Sequence, residues 1–277
     1  MPGEYKFFLR QIYQASPALA DRVSAAGLLW LLQALLITLL ILAADYATGA
    51  GILRLLRVTI APRFRPAAVL ATGLAAQGLA LMMLGFIGLL NPLAVTVATF
   101  LPGLAAARLA WRWRPRIRIP WLFLPVALVF LADWLQPVAE TDSTMYHMAA
   151  ARQYRDSQAL PYQPDIRFNA QPQLTVLWYL RQWMLTGRET GIKPFNLELL
   201  VLLLLSLRAG ARELGIRRRG LASAALAASP VFVWTSKVEY ADLALTAFIT
   251  VAGVLLLAAL CRRCLTLALL GGVAENL

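Results

Sequence analysis

The chain has 277 residues, of which 60% are hydrophobic and 14% charged, with a mean hydropathy of +0.66. These values exclude an ordinary soluble domain, which needs a polar surface, and the repeated apolar runs are long enough to cross a hydrocarbon core of roughly 30 Å. A net charge of +12 does not point to nucleic acid here, because the arginines stand in short clusters between apolar runs, where the positive-inside rule puts them.

Residues 1–24 carry charges throughout and lack the short apolar core of a cleavable signal, so insertion is expected to rest on the first span. The apolar runs predict spans at about 25–50, 66–90, 92–110, 119–138, 196–210, 220–236 and 240–260. Arginines follow every second boundary: Arg54, Arg57, Arg63 and Arg65; Arg112, Arg114, Arg116 and Arg118; Arg212, Arg217, Arg218 and Arg219; then Arg262 and Arg263. If all four clusters are cytoplasmic, the alternation holds without adjustment. The N-terminus, the turn at Asn91-Pro92, the segment 139–195 and the turn 236–240 are then outside.

The expected fold is therefore an all-α polytopic helical bundle of about seven spans. Residues 1–138 supply the first helices, 139–195 an outer-face loop with interfacial helices, and 196–277 further spans. In the loop, residues 143–157 read as helical with Met145, Met148, Ala149 and Tyr154 on one side, while 160–172 hold three prolines and read as extended. Residues 173–185 place Leu174, Leu177, Trp178, Leu180 and Trp183 at helical spacing, interrupted by Arg181, which suits a helix lying in the interface. The pair Cys261 and Cys264 forms a lone Cys-x-x-Cys beside two arginines and reads as juxtamembrane thiols, not as a zinc or redox site. The last run, Cys264–Val273, is too short to span and predicts either a re-entrant stub or a break in a longer protein.

Two constellations could carry chemistry, and both fall on the outer side of this topology. The first is Glu140-Thr-Asp-Ser-Thr-Met-Tyr-His147. A carboxylate here can serve as general base on a substrate held at the surface, and Asp142 or Ser143 can equally cap the next helix; the two roles are compatible. Tyr146 follows Asp142 by one helical turn and can share its face. His147, the single histidine, reads as a polar interfacial residue rather than a catalyst.

The second constellation is Lys237-Val-Glu239-Tyr-Ala-Asp242, at the mouth of the last two spans. Asp242 opens an apolar helix, where the helix dipole favours a carboxylate, and ionisable groups at a membrane boundary are functional candidates. The alternative is an interfacial anchor in which Lys237 pairs with a carboxylate. Arg152, Arg155, Arg167, Asn169 and Lys193 collect on the same side, which suits an anionic lipid headgroup. Asp133 lies near the outer end of its run and Asp45 within the first; the latter is expected to face other helices.

These residues resemble the GT-C membrane glycosyltransferases, relatives of protein O-mannosyltransferases and lipid A aminoarabinose transferases. Asp142–His147 with Tyr154 is similar to their D-x-x-x-Y-H-x-x-x-x-x-x-Y element in the first large outer loop. Ser229-Pro-Val-Phe-Val-Trp234 followed by Tyr240-Ala-Asp-Leu-Ala-Leu245 resembles their P-x-x-x-W…Y-x-D-L-x-L span pair, and Gly85–Pro92 the turn before the loop. The resemblance implies transfer of a sugar from a polyprenyl-phosphate carrier to an acceptor on the outer face of the cell membrane. It makes Asp142 the base and Asp242 a supporting or donor-orienting carboxylate. Tyr146, His147, Arg152, Arg167, Asn169, Lys193, Lys237 and Glu239 become candidate substrate contacts. Metal use varies across that family. One base suffices because a phosphate leaving group needs little protonation, unlike the sugar oxygen of a glycosidase substrate.

The chain departs from these relatives in lacking a Glu near Gln173–Val176. It also corresponds to their N-terminal half, so it is expected to be incomplete as an enzyme. The competing expectation is a non-catalytic polytopic protein, a transporter or a lipid-carrier binding subunit. Transporters hold their ionisable groups near the midplane, whereas here the sequence places most of them at one surface.

Overall fold

A computed structural model describes residues 25–113, 147–161, 173–216, 229 and 241–262. Among these residues the secondary structure is helical, with no strand. The helices are α1 (Ala25–Leu55), α2 (Arg65–Phe86), α3 (Pro92–Trp113), α4 (Met148–Ser157), α5 (Gln173–Thr186), a 3₁₀ turn (Glu189–Ile192), α6 (Phe195–Glu213) and α7 (Ala241–Arg262). Among the described residues five stretches are long and apolar enough to cross a membrane: α1, α2, α3, the 3₁₀ turn continued into α6, and α7. The expected span at 119–138 lies outside the described residues, as do that at 220–236 apart from Ser229, and Asp133, Asp142, Tyr146, Arg167, Asn169, Lys237 and Glu239.

Local sequence explains where these helices begin and end. Pro66 occupies the first turn of α2, where its missing N–H costs nothing. Asn91 Oδ1 accepts from the Ala94 N–H at 2.9 Å, capping α3, with Pro92 as the first helical residue. At the end of α1 the Arg57 and Val58 amides donate to the Arg54 and Leu53 carbonyls, at 3.0 and 2.9 Å, closing the helix with Arg57 in the left-handed region at φ 54°.

α1, α2 and α3 pack through small residues, which let backbones approach where apolar lipid provides no hydrophobic drive for association. A Cβ on Gly49 would collide with the Val69 carbonyl, one on Gly73 with the Asp45 carbonyl, and one on Gly103 would lie 2.9 Å from the Ala44 backbone. The outward faces carry leucines instead. Leu93, Val97, Leu101 and Leu104 form an exposed stripe on α3, and Leu28, Leu32, Leu36 and Leu39 do so on α1, as expected for surfaces against acyl chains. Gly73→Ala is expected to destabilise the protein by about 3 kcal/mol, at the upper end for overpacked cores, because backbone and not a flexible side chain must yield. Thermal unfolding in detergent checks this, and a wild-type midpoint would remove the close α1–α2 contact.

Contacts between loops sort the helix ends into two sets. At one end Arg63, between α1 and α2, pairs with Glu213 at the end of α6 at 2.8 Å, and Arg65 lies 4.9 Å from the ring centre of Trp113 at the end of α3. At the other, Leu90 in the α2–α3 turn donates to the Gln158 carbonyl at 2.9 Å, and Leu160 donates to Gly85 at 3.1 Å. Arg188, after α5, stacks over Trp30 near the start of α1. Single cysteines at the exposed positions Pro62 and Ser157, without Cys261 and Cys264, are expected to label from opposite sides of the membrane. Labelling of both from one side of sealed vesicles would overturn this arrangement.

α5 differs from its expectation. An interfacial helix keeps one polar face toward water, whereas Thr175 to Trp183 are buried without interruption. α5 packs against α1, α2, α3, α4 and α6. Trp178 Nε1 donates to the Leu74 carbonyl at 3.2 Å and its ring stacks on Phe248 of α7, 5.8 Å away with an interplanar angle of 5°. The helix is an interior element of the bundle, although at 14 residues it is too short to span.

Candidate functional site

Three ionisable side chains meet inside the bundle. Arg181 of α5 donates from Nη1 to Asp45 Oδ1 of α1 at 2.9 Å and from Nη2 to Glu198 Oε2 of α6 at 3.0 Å, and all three side chains are 0% exposed. Asp45 lies ten residues, about 15 Å, before the end of α1 at Leu55, well within the span. The neighbouring Gln182 donates from Nε2 to Thr38 Oγ1 of α1. Among the described residues Asp45 Oδ2, Glu198 Oε1, Arg181 Nε and Gln182 Oε1 have no hydrogen-bond partner.

The arrangement suits arginine. Its planar fork reaches two carboxylates at once, where a lysine ammonium on a flexible stem lacks that geometry. Pairing these charges lowers the cost of burying them, and removal of the cation leaves two carboxylates stranded in a medium of low dielectric. The expectation that Asp45 faces other helices is met by a specific partner. Arg181 and Glu198 were not among the candidates read from the sequence. The available signal was three ionisable residues of compensating sign, each inside an apolar stretch, a pattern that marks interior pairing or function in membrane helices.

Of the residues expected to contact substrate, the described ones, His147, Arg152 and Lys193, lie toward the end of the bundle that holds the α2–α3 turn. His147, at the start of α4, is 3% exposed and meets Tyr179 of α5 edge-on, with ring centres 6.5 Å apart. α4 buries Met148, Ala150, Ala151 and Tyr154, so the buried face departs from the expected one at Ala149. Burial pushes the Tyr154 phenol up to about 12, leaving a neutral hydroxyl at physiological pH.

Arg152 is exposed and bonded to Glu189 at 2.6 Å, across the gap between α4 and the 3₁₀ turn. Arg155 pairs with Asp156 at 2.8 Å and lies over the Trp183 ring at 4.4 Å. Lys193 is buried, 4% exposed, at the entrance to α6. Asp242 is exposed in the first turn of α7. Trp178 touches both Phe195 at the start of α6 and Phe248 of α7, and Gly210 of α6 meets Val254 of α7, so the two helices run parallel and Asp242 lies toward the same end as Lys193.

The structure thus brings His147, Arg152, Glu189, Lys193 and Asp242 toward one end of the bundle and sets the Arg181 triad in its interior. The class defined by these features is a multi-pass helical membrane protein with an ion-paired core. No protein-family model, curated protein or solved structure matches the chain.

Proposed function

We propose that the protein is a GT-C-type membrane glycosyltransferase, with about seven spans in this chain, that transfers a sugar from a polyprenyl-phosphate carrier to an acceptor on the outer face of the membrane. Support comes from the Asp142-to-Tyr154 element, whose described part, His147 to Tyr154, packs on the interior helix α5 at the end of the bundle that also carries Asp242. In this reading the end holding 147–161 and 187–195 faces outward. Asp142 accepts the proton of the acceptor hydroxyl, Asp242 orients the donor, and the cations nearby hold its phosphate. Arg152, itself exposed, can exchange its half-buried partner Glu189 for a phosphate at little cost, since ion pairs near the surface contribute about 0–1 kcal/mol.

The test is transfer by the protein in proteoliposomes supplied with polyprenyl-phosphate hexose or pentose and with hydroxyl-bearing acceptors. The expected result is consumption of the lipid-linked sugar with release of polyprenyl phosphate. Intact donor across a panel of such sugars and acceptors would remove the enzymatic reading.

One observation favours the second reading, a carrier or transporter without chemistry. Asp45, Arg181 and Glu198 are ionisable groups within the helical core, where transport pathways place them. Uptake of a charged solute by the same proteoliposomes, with the lipid-linked sugar left whole, would select it.

A further inference from the structure

At the end of the bundle opposite Asp242 the α1–α2 loop folds into a cleft of ≈540 Å³ lined by Leu53, Arg54, Arg57, Thr59, Arg65 and Trp113, among others. Three of these six side chains are cations. Arg65 is held in place by the Ile60 carbonyl, which accepts from Nη2 at 3.2 Å, and by the Trp113 ring. Arg54 and Arg57 are exposed, and neither is ion-paired to a carboxylate among the described residues. Thr59 adds an exposed hydroxyl.

Two features set the level of this cleft in the membrane. Leu55 and Leu56, between Arg54 and Arg57, are 81% and 65% exposed, and Trp111, two residues before Trp113, is exposed. Leucines left bare next to arginines and tryptophans mark the boundary where acyl chains give way to headgroups. A further sign comes from Arg57, which occupies a left-handed position that glycine fills more easily. An arginine accepted there at a conformational cost suggests that the charge is used.

We infer that this cleft binds the phosphate-bearing headgroup of an anionic phospholipid, with the acyl chains running along Leu55 and Leu56. Basic pockets between membrane helices recognise such headgroups through charge-assisted hydrogen bonds. The inference rests on the membrane-spanning helices and the cleft, and is independent of the glycosyltransferase reading.

Native mass spectrometry of the purified protein, titrated with phosphatidylglycerol or with phosphatidylcholine of the same acyl chains, tests it. Phosphatidylglycerol is expected to bind more tightly, and Arg54→Gln, Arg57→Gly and Arg65→Gln each to raise its Kd by about fivefold. Arg57→Gly is the decisive variant, because glycine relieves the left-handed residue. Its thermal midpoint should equal or exceed that of the wild type while phosphatidylglycerol affinity falls. Equal affinity for the two lipids, or unchanged affinity in all three variants, would overturn the inference. Displacement of the lipid by millimolar inorganic phosphate alone would also overturn it, by making the cleft a site for a free anion.

Discussion

Replacing Arg181 with methionine is expected to cost about 3–5 kcal/mol, a large share of the roughly 5–15 kcal/mol that stabilises an ordinary protein. Methionine keeps the length and much of the volume of the arginine stem, so the loss is chiefly electrostatic. Asp45 and Glu198 would be left 0% exposed with no cation between them. Their rescue is equally specific. Combining Arg181→Met with Asp45→Leu and Glu198→Leu replaces the entire charged cluster by apolar groups, a change that is often neutral or stabilising in buried triads. Size-exclusion behaviour and thermal midpoint in detergent distinguish the variants. A stable Arg181→Met protein would show that the triad does not hold α5 in the bundle. A triple variant as unstable as the single one would show that packing, not charge, dominates at this position.

Asp142→Asn is expected to lower glycosyl transfer by the full-length protein by about a hundredfold or more while leaving insertion and folding unchanged. Asparagine is nearly isosteric with aspartate and caps helices about as well, so a purely structural Asp142 predicts little change. It cannot accept a proton at neutral pH, so a general base predicts near-complete loss. The rate of lipid-linked sugar consumption separates the two roles, with the thermal midpoint as the control for folding. Near-normal turnover would refute the base assignment and move attention to Glu140 or Asp242. The same substitution leaves a carrier function intact, which makes it informative for the second reading as well.

α5 shows how far a one-dimensional pattern reaches. Leu174, Leu177, Trp178, Leu180 and Trp183 stand at helical spacing, and the helix forms at Gln173–Thr186 as that spacing requires. The same residues with Arg181 among them read as a surface helix, because a charged residue normally turns toward water. The inference failed because the compensating charges lie far away in the chain, at Asp45 and Glu198, and nothing local announces them. The burial of Lys193 at the entrance of α6 was likewise not legible in the loop sequence around it. Arg152 kept its expected exposure, yet its pairing with Glu189 needed the α4 helix and the 3₁₀ turn to be brought together.

The sequence by itself determined that this is a multi-pass helical membrane protein. Span length and hydropathy are set by bilayer thickness, and a backbone in lipid must satisfy its hydrogen bonds within each helix. It also placed the starts of α2 and α3 near Pro66 and Pro92, where apolar runs begin, although α2 ends at Phe86 and not at 90. Tertiary structure alone decided which helix faces meet, and therefore that Gly73 lies against Asp45, that α5 belongs to the interior, and that Arg181 bridges two carboxylates 136 and 17 residues away. Such pairings depend on the approach of backbones and the desolvation of charges between distant segments, quantities that no local run of residues encodes.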